Sequence, residues 1–390
     1  MKQGWEYKKL GEVCHITMGQ SPDGNSINDN EGVEFHQGKT CFGEQTLGVS
    51  NLFSNAPVKL AEAHSVLLCV RAPVGYPNIT ERKICIGRGL CALYAKEDID
   101  NKFLFYSLLS KQSHFEKNAT GSTFKAISSK VVSNTEIPIP PKSTQLAIVS
   151  ELDKINELIR LKKEQQKDYD NLAQSIFYEM FGDPVENEKG WEVKKFGELC
   201  DKISNGYNAK LEEETYKSEG IMYFRCQNVW RNYFDYSDLV YIDENTNQKM
   251  KSSSLKHNDF LITKIGRINT ENSSLGRVSL YEGDDDKANL SGNLCFARLK
   301  KDAAVHKFIL YILISNQFRN YIRRTTVGGI DKRALNVRQI SSFPIISPPL
   351  PLQHLFAQRI EQIEHQKSEV AKAITDLETL LASRMQHWFE

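Results

Sequence analysis

Two stretches of about forty residues carry the most sustained apolar periodicity in the chain. Residues 143–183 place Ile148, Leu152, Ile155, Ile159 and Ile176 at alternating steps of three and four, with a polar patch midway. Residues 350–390 do the same with Phe356, Ile360, Ile363, Ile374, Leu377 and Leu381. A repeat near 3.5 residues predicts long helices whose apolar seams pack together as a coiled coil. Each stretch follows a proline pair, Pro140-Pro141 or Pro348-Pro349, and then runs nearly forty residues without a glycine. Proline pairs disfavour helix just before them, so both helices start there. At about 1.5 Å per residue, each spans on the order of 55 Å.

Outside these stretches the apolar runs are short and punctuated by Gly, Pro, Asn and Asp. "SVLLCVRAP" and "ICIGRGLCALYA" in the first half, and "IMYFRCQNVW", "DFLITKIG" and "LCFARLK" in the second, read as strands. "KFLFYSLLSKQSHF" and "HKFILYILISNQFRNYI" follow with helical patterns. The chain also repeats itself. "GWEYKKLGEVC" at Gly4 to Cys14 returns as "GWEVKKFGELC" at Gly190 to Cys200, with eight of eleven residues identical. A shift of 208 residues superposes Pro140 on Pro348, Gln145 on Gln353, Ile155 on Ile363, Leu172 on Leu380 and Phe181 on Phe389. The expected fold is α+β, with globular mixed α/β domains at 1–142 and 184–349. Helices at 143–183 and 350–390 separate them. A duplicated unit packs about a pseudo-two-fold axis, which makes the two helices antiparallel.

The 390 residues are 40% hydrophobic and 25% charged, a soluble globular composition. The longest apolar runs, "VLLCV" and "FILYILI", are too short for a membrane span, and the polar start lacks a signal-peptide core, so a cytoplasmic protein is expected. Eight cysteines without a C-x-x-C pair suit buried, reduced thiols rather than a metal or disulfide framework. The net charge of +1 conceals a division: the globular halves carry +2 (1–142) and +5 (190–349), the helical stretches −4 (143–189) and −2 (350–390). "RNYIRRTTVGGIDKRALNVRQ" alone gathers Arg319, Arg323, Arg324, Lys332, Arg333 and Arg338. Basic clusters beside Gly-rich loops and Asn, Gln and Tyr suit phosphate contact with base-edge hydrogen bonding.

Catalytic and metal signatures are missing. No phosphate-binding G-x-x-x-x-G-K-[ST] loop, dinucleotide fingerprint, H-E-x-x-H or nucleophile elbow occurs. The acidic runs at Glu212 to Glu214 and Asp284 to Asp286 read as solvated loops, and the nine histidines lack ligand spacing. No catalytic residue, metal or cofactor is expected in this chain.

The order of "GWEYKKLGEVC", "GQSP", "FHQGK", "VRAPVG", "CIGRGL", "GSTFKAIS", "IPIPP" and "SIFYEMFGDP" resembles the specificity subunits of Type I restriction–modification enzymes along essentially the whole chain. That resemblance implies a phage-defence protein with two target-recognition domains, each reading one half of a split sequence in double-stranded DNA. It implies that the helices dock two methyltransferase subunits, that two motor-nuclease subunits join these, and that methyl donor and ATP sit on the partners. Spacer length should then set the gap in the target, since the second binding event is intramolecular. A stand-alone DNA-binding scaffold or repressor would use the same surfaces. The expected DNA-contacting residues are Gln37, Lys39, Arg71, Arg88 and Lys125 in the first domain. In the second they are Arg225, Gln227, Asn228, Lys264, Arg267, Lys332 and Arg333, because Arg and Gln pair with guanine and adenine edges and Lys holds phosphate. "TKIGRI" and "GGIDKRAL" replace "VRAPVG" and "GSTFKAIS" in the second domain, so an asymmetric target is expected.

Overall fold

In the computed structural model, residues 4–121, 125–207, 216–267, 270, 272–326, 328–329 and 331–389 are described. The acidic run Glu212 to Glu214 lies outside them, as do Ser122, Thr123 and Phe124 of "GSTFKAIS", Ile268 of "TKIGRI" and Ile330 of "GGIDKRAL". The two long helices are continuous, Lys142–Phe181 and Leu350–Phe389, forty residues each. Pro351 sits in the first turn of the second, where a missing N–H costs nothing. The first helix ends at Gly182, whose positive φ of 76° lets its N–H close on the Tyr178 carbonyl. Lys189 and the Trp191 indole N–H, 2.9 Å from the Phe181 carbonyl, satisfy further terminal carbonyls.

The chain divides into two compact units, and the division cuts both helices: residues 1–164 with 371–390, and residues 165–370. Each unit therefore owns one globular domain and a segment of each long helix. In the first unit, a four-stranded antiparallel sheet runs in the order Cys14–Met18, Leu90–Ala95, Val66–Cys69, Pro77–Ile79. In the second, Cys200–Asn205, Leu294–Leu299, Phe260–Thr263 and Val278–Leu280 repeat that order. Glu6–Lys9 pairs with Glu136–Ile139, as Val193–Lys195 pairs with Pro344–Ile346. The domains differ in a further sheet. It has five strands in the first (Ile27–Asn28, Phe53–Ser54, Val33–His36, Ile84–Ile86, Leu60–Ala61) and three in the second (Val240–Ile242, Ile221–Phe224, Ala288–Leu290).

Several apolar runs turn out to be divided. "ICIGRGLCALYA" forms two strands in different sheets, because a turn at residues 87–89 redirects the chain. Phe260–Thr263 and Ile265–Arg267 likewise part, and each helical run breaks in two, into Asn101–Ser110 and Gln112–Lys117, and His306–Ile314 and Asn316–Thr325.

The repeated glutamines show why the domains seat on the helices alike. Gln145 donates to the Pro140 carbonyl (2.9 Å) and accepts from the Asp100 N–H (2.9 Å). Gln353 donates to Pro348 (2.8 Å) and accepts from Val305 (2.9 Å). Both are 1% exposed, so the amide must satisfy itself locally, and it does so by tying helix start to domain.

Of the expected seam, Ile148, Leu152, Ile155, Ile159, Phe356, Ile360, Ile363 and Ile374 are buried. Ile148 and Leu152 belong to the first domain's core, and Phe356, Ile360 and Ile363 to the second's, so the seam serves both purposes. Leu377 and Leu381 are half-buried. The expectation shifts at Ile176, which is half-buried, whereas Phe177 and Phe181 are almost fully buried. A straight helix drifts against a strict 3.5-residue count, which moves the buried row by one position over this length. Charged pairs cross between the helices within each unit: Glu151 with Arg384 and the Trp388 indole, Lys163 with Glu378, and Asp170 with Lys367. Being largely exposed, such pairs contribute about 0–1 kcal/mol each, so apolar burial dominates.

Candidate nucleic-acid interface

At one edge of the first domain, five loops are joined by backbone hydrogen bonds. Gly19 N–H donates to Leu90, Gln20 to Ile86, Gly87 to His36, Leu90 to Gly87, Val70 to Gly89 and Ile127 to Val70. The second domain repeats all six: Gly206 to Leu294, Tyr207 to Leu290, Ser291 to Phe224, Leu294 to Ser291, Lys264 to Asn293 and Leu335 to Lys264. The twelve distances lie between 2.8 and 3.0 Å. This close backbone approach explains glycine where it occurs. A Cβ on Gly19 would stand 2.1 Å from the Gly87 carbonyl oxygen, and one on Gly206 would stand 2.3 Å from that of Ser291.

The matched bonds align the side chains that the two hubs present. Gln37 corresponds to Arg225, Val70 to Lys264, Arg71 to Ile265, Arg88 to Gly292 and Lys125 to Arg333. Identical backbones thus carry different chemistry. This is the arrangement expected when one scaffold recognises two unlike ligands.

In the first domain the expected residues gather. Gln37, Lys39, Arg71, Arg88 and Lys125 are all exposed on hub loops. Gly89 N–H binds the Gln37 carbonyl (3.1 Å) and Ala72 N–H binds that of Lys125 (3.0 Å), which fixes the spacing of the loops. Lys39 Nζ lies 3.6 Å from the Tyr76 ring centroid. Among the described residues, Arg71, Arg88 and Lys125 form no ion pair, so their charge faces outward. By contrast Arg82 is committed inside the domain. It holds Glu34 at 2.5 and 2.6 Å, and the Ser50 N–H and His36 ring complete the group. Burial pushes the Glu34 carboxyl up, but these partners outweigh it and hold it at about 2.

The second domain separates its candidates. Gln227, Arg267 and Lys332 line a cleft of about 580 Å³ together with Trp230, Asn272, Arg277 and Asn293. Asn228 is corrected. It is fully buried, its amide donating to Asp235 O (3.0 Å) and Asp238 Oδ1 (2.8 Å) and accepting from Arg225 N–H, so no donor is left for a base. Arg333 is likewise structural, donating to the Arg323 and Thr326 carbonyls at the end of helix Asn316–Thr325. Arg225 pairs with Asp238 (3.2 Å), and Gln227 shares that carboxylate (3.1 Å). Lys264 donates to Asn205 Oδ1 (2.6 Å), and burial lowers its pKa. Arg267 pairs loosely with Asp331 (3.3 Å), both ends being well exposed.

Trp230, Tyr233 and Arg277 escaped the sequence reading. Trp230 and Tyr233 stack with centroids 5.8 Å apart and planes 8° apart. Arg277 lies 3.7 Å from the Trp230 centroid and donates to the Ser273 and Asn272 carbonyls, joining two walls of the cleft. The "NVWRNYFDY" run of aromatics among amides was the available signal.

A family model described as the Type I restriction modification DNA specificity domain matches residues 2–168 and again 188–378. The putative type I restriction enzyme MjaX specificity subunit of Methanocaldococcus jannaschii is 39% identical over 178 residues, which are 45% of this chain and 42% of that protein. The MjaIX specificity subunit of the same organism is 23% identical over 387 residues, covering 92% of this chain and 86% of its own. The fold is similar to the S subunit of a Type-I restriction-modification system from M. genitalium, with a TM-score of 0.55, 15% identity and coverage of 100% and 98%. It is also similar to a chain from a structure of type I R-M complex assembly and conformational transition, with a TM-score of 0.63, 20% identity and coverage of 99% and 97%.

Proposed function

The chain belongs to the family of the Type I restriction modification DNA specificity domain, and from that premise we propose that it reads a two-part, asymmetric DNA target for a restriction–modification complex. It acts without chemistry of its own: the methyl donor and ATP bind the partner subunits. The observation that carries this reading is the repeated hub. Six matched backbone hydrogen bonds build the same edge twice, while Arg71 and Arg88 in one copy give way to Ile265 and Gly292 in the other, and the exposed Lys125 to an Arg333 committed to local carbonyls. Base readout depends on side chains placed against groove edges, so one backbone with two side-chain sets yields two half-sites.

Two methyltransferase subunits dock on the long helices, and two motor-nuclease subunits complete the assembly. Leu158 and Leu161, 47% and 46% exposed and one turn apart on the first helix, are the neighbouring exposed apolar pair that supports this, beside the singly exposed Leu146, Leu172, Leu355 and Leu380. Of these, Leu172 and Leu380 occupy equivalent places in the repeat.

Co-expression with the genetically adjacent methyltransferase in a methylation-free host tests the proposal. Mapping modified adenines is expected to give a motif of two defined parts around a fixed unspecified gap, present only with this chain. A soluble complex that binds duplex DNA yet adds no methylation would favour the repressor reading instead.

A further inference from the structure

We propose that the second domain clamps a backbone phosphate of bound DNA between Arg231 and Arg323, with Arg319 buried behind them, flanking the cleft of Gln227, Arg267 and Lys332; the inference rests on the DNA-reading function above.

Arg231 follows Trp230 at the rim of that cleft, and its Nη1 donates to Asn316 Oδ1 (3.3 Å), the first residue of helix Asn316–Thr325. Arg319 and Arg323 lie three and seven residues further on, along the same face of that helix. Arg319 is 5% exposed, and its Nη2 is sealed from solvent without a hydrogen-bond partner. Arg277, 7% exposed, backs the group through the Trp230 ring, with donors already turned to loop carbonyls. Burial first, then the charges of Arg323 and Arg277, lower the pKa of Arg231.

Among the described residues none of these four arginines forms an ion pair. Asp170, which shares a pocket with Arg231, is held by Lys367 at 2.5 Å. Buried cations without a carboxylate are costly, and an arriving anion relieves that cost. Guanidinium forks match phosphate oxygens in pairs, which makes phosphate the fitting class of anion. In the first domain the matching pocket presents Glu44 and Gln45 in place of Arg231 and Asn232, and helix Gln112–Lys117 carries Glu116 beside Lys117. The clamp therefore belongs to the second half alone. It positions the duplex against the cleft and carries no sequence information.

Salt-dependent duplex binding by the assembled methyltransferase complex tests this with R231A, R323A, the double variant and R323K. The slope of log affinity against log salt is expected to fall by about 1 for each alanine and about 2 for the double variant, all sequences weakening alike, while R323K keeps the slope. R319M is expected to change the slope less than either alanine, because Arg319 does not reach the surface, while holding or raising the thermal midpoint, because it removes an unpaired buried charge. Unchanged slopes would overturn the clamp, as would a methylated motif that changes with these variants, or a fall in midpoint with R319M. Should the parent complex read no two-part motif, the function above would fail first, and the control shows which has failed.

Discussion

Phe181→Ala is expected to destabilise the second unit by about 3–5 kcal/mol, the usual cost of deleting a buried phenylalanine ring. Phe181 is fully buried, with ring centroids of Phe308, Phe177 and Phe356 at 4.7, 5.2 and 5.5 Å. These four rings come from both long helices and from helix His306–Ile314. A cavity there loosens the seat of the domain on the helices, and rigid aromatic neighbours cannot collapse to fill it. Chemical denaturation followed by near-ultraviolet circular dichroism checks the size of the loss. Phe389→Ala is the comparison. Its position is equivalent in the repeat, but among the described rings only Phe103 lies within contact, at 5.5 Å, so its cost is expected to be smaller.

Gly19→Ala is expected to abolish specific methylation while leaving the helices folded. The added methyl would meet the Gly87 carbonyl oxygen at 2.1 Å and that of Leu90 at 2.8 Å, both backbone atoms that cannot rotate aside. Relieving the clash breaks the Gly19–Leu90 and Gln20–Ile86 bonds and splays the loops carrying Arg71 and Arg88. Specific and non-specific DNA binding differ by about 4–10 kcal/mol, so losing one reading edge lowers modification to the background of non-specific sites. Gly38→Ala serves as control. No atom lies within 4 Å of its added Cβ and its φ is extended at −166°, so methylation is expected to match the parent. Adenine methylation assays with far-ultraviolet circular dichroism separate loss of the hub from loss of the fold.

The long helices were legible because their signal is side-chain periodicity bounded by prolines, and the duplication because it is written in residues such as Gln145 and Gln353. The buried row at Phe177 and Phe181 was missed because a strict heptad count ignores the drift of a straight helix. The hub itself could not be read, being held by backbone groups that every residue possesses. Gly19, Gly87, Gly89 and Gly206 mark it, and glycine alone does not say which carbonyl it must approach. Asn228 and Arg333 look like base readers in sequence, since burial and local carbonyl partners decide their role and neither is encoded in residue type. Arg71 and Arg88 follow strands at turns, and both lie exposed on hub loops, a placement that the turn residues around them made legible.

The central claim is that one scaffold, built twice, reads two unlike half-sites independently. The most direct test is to map methylated adenines for the parent chain and for a variant with Gln227, Arg267 and Lys332 all replaced by alanine, each with its methyltransferase. The account predicts that one half of the motif relaxes while the other half and the gap between them stay as in the parent. Both halves changing together, or neither changing, would contradict it.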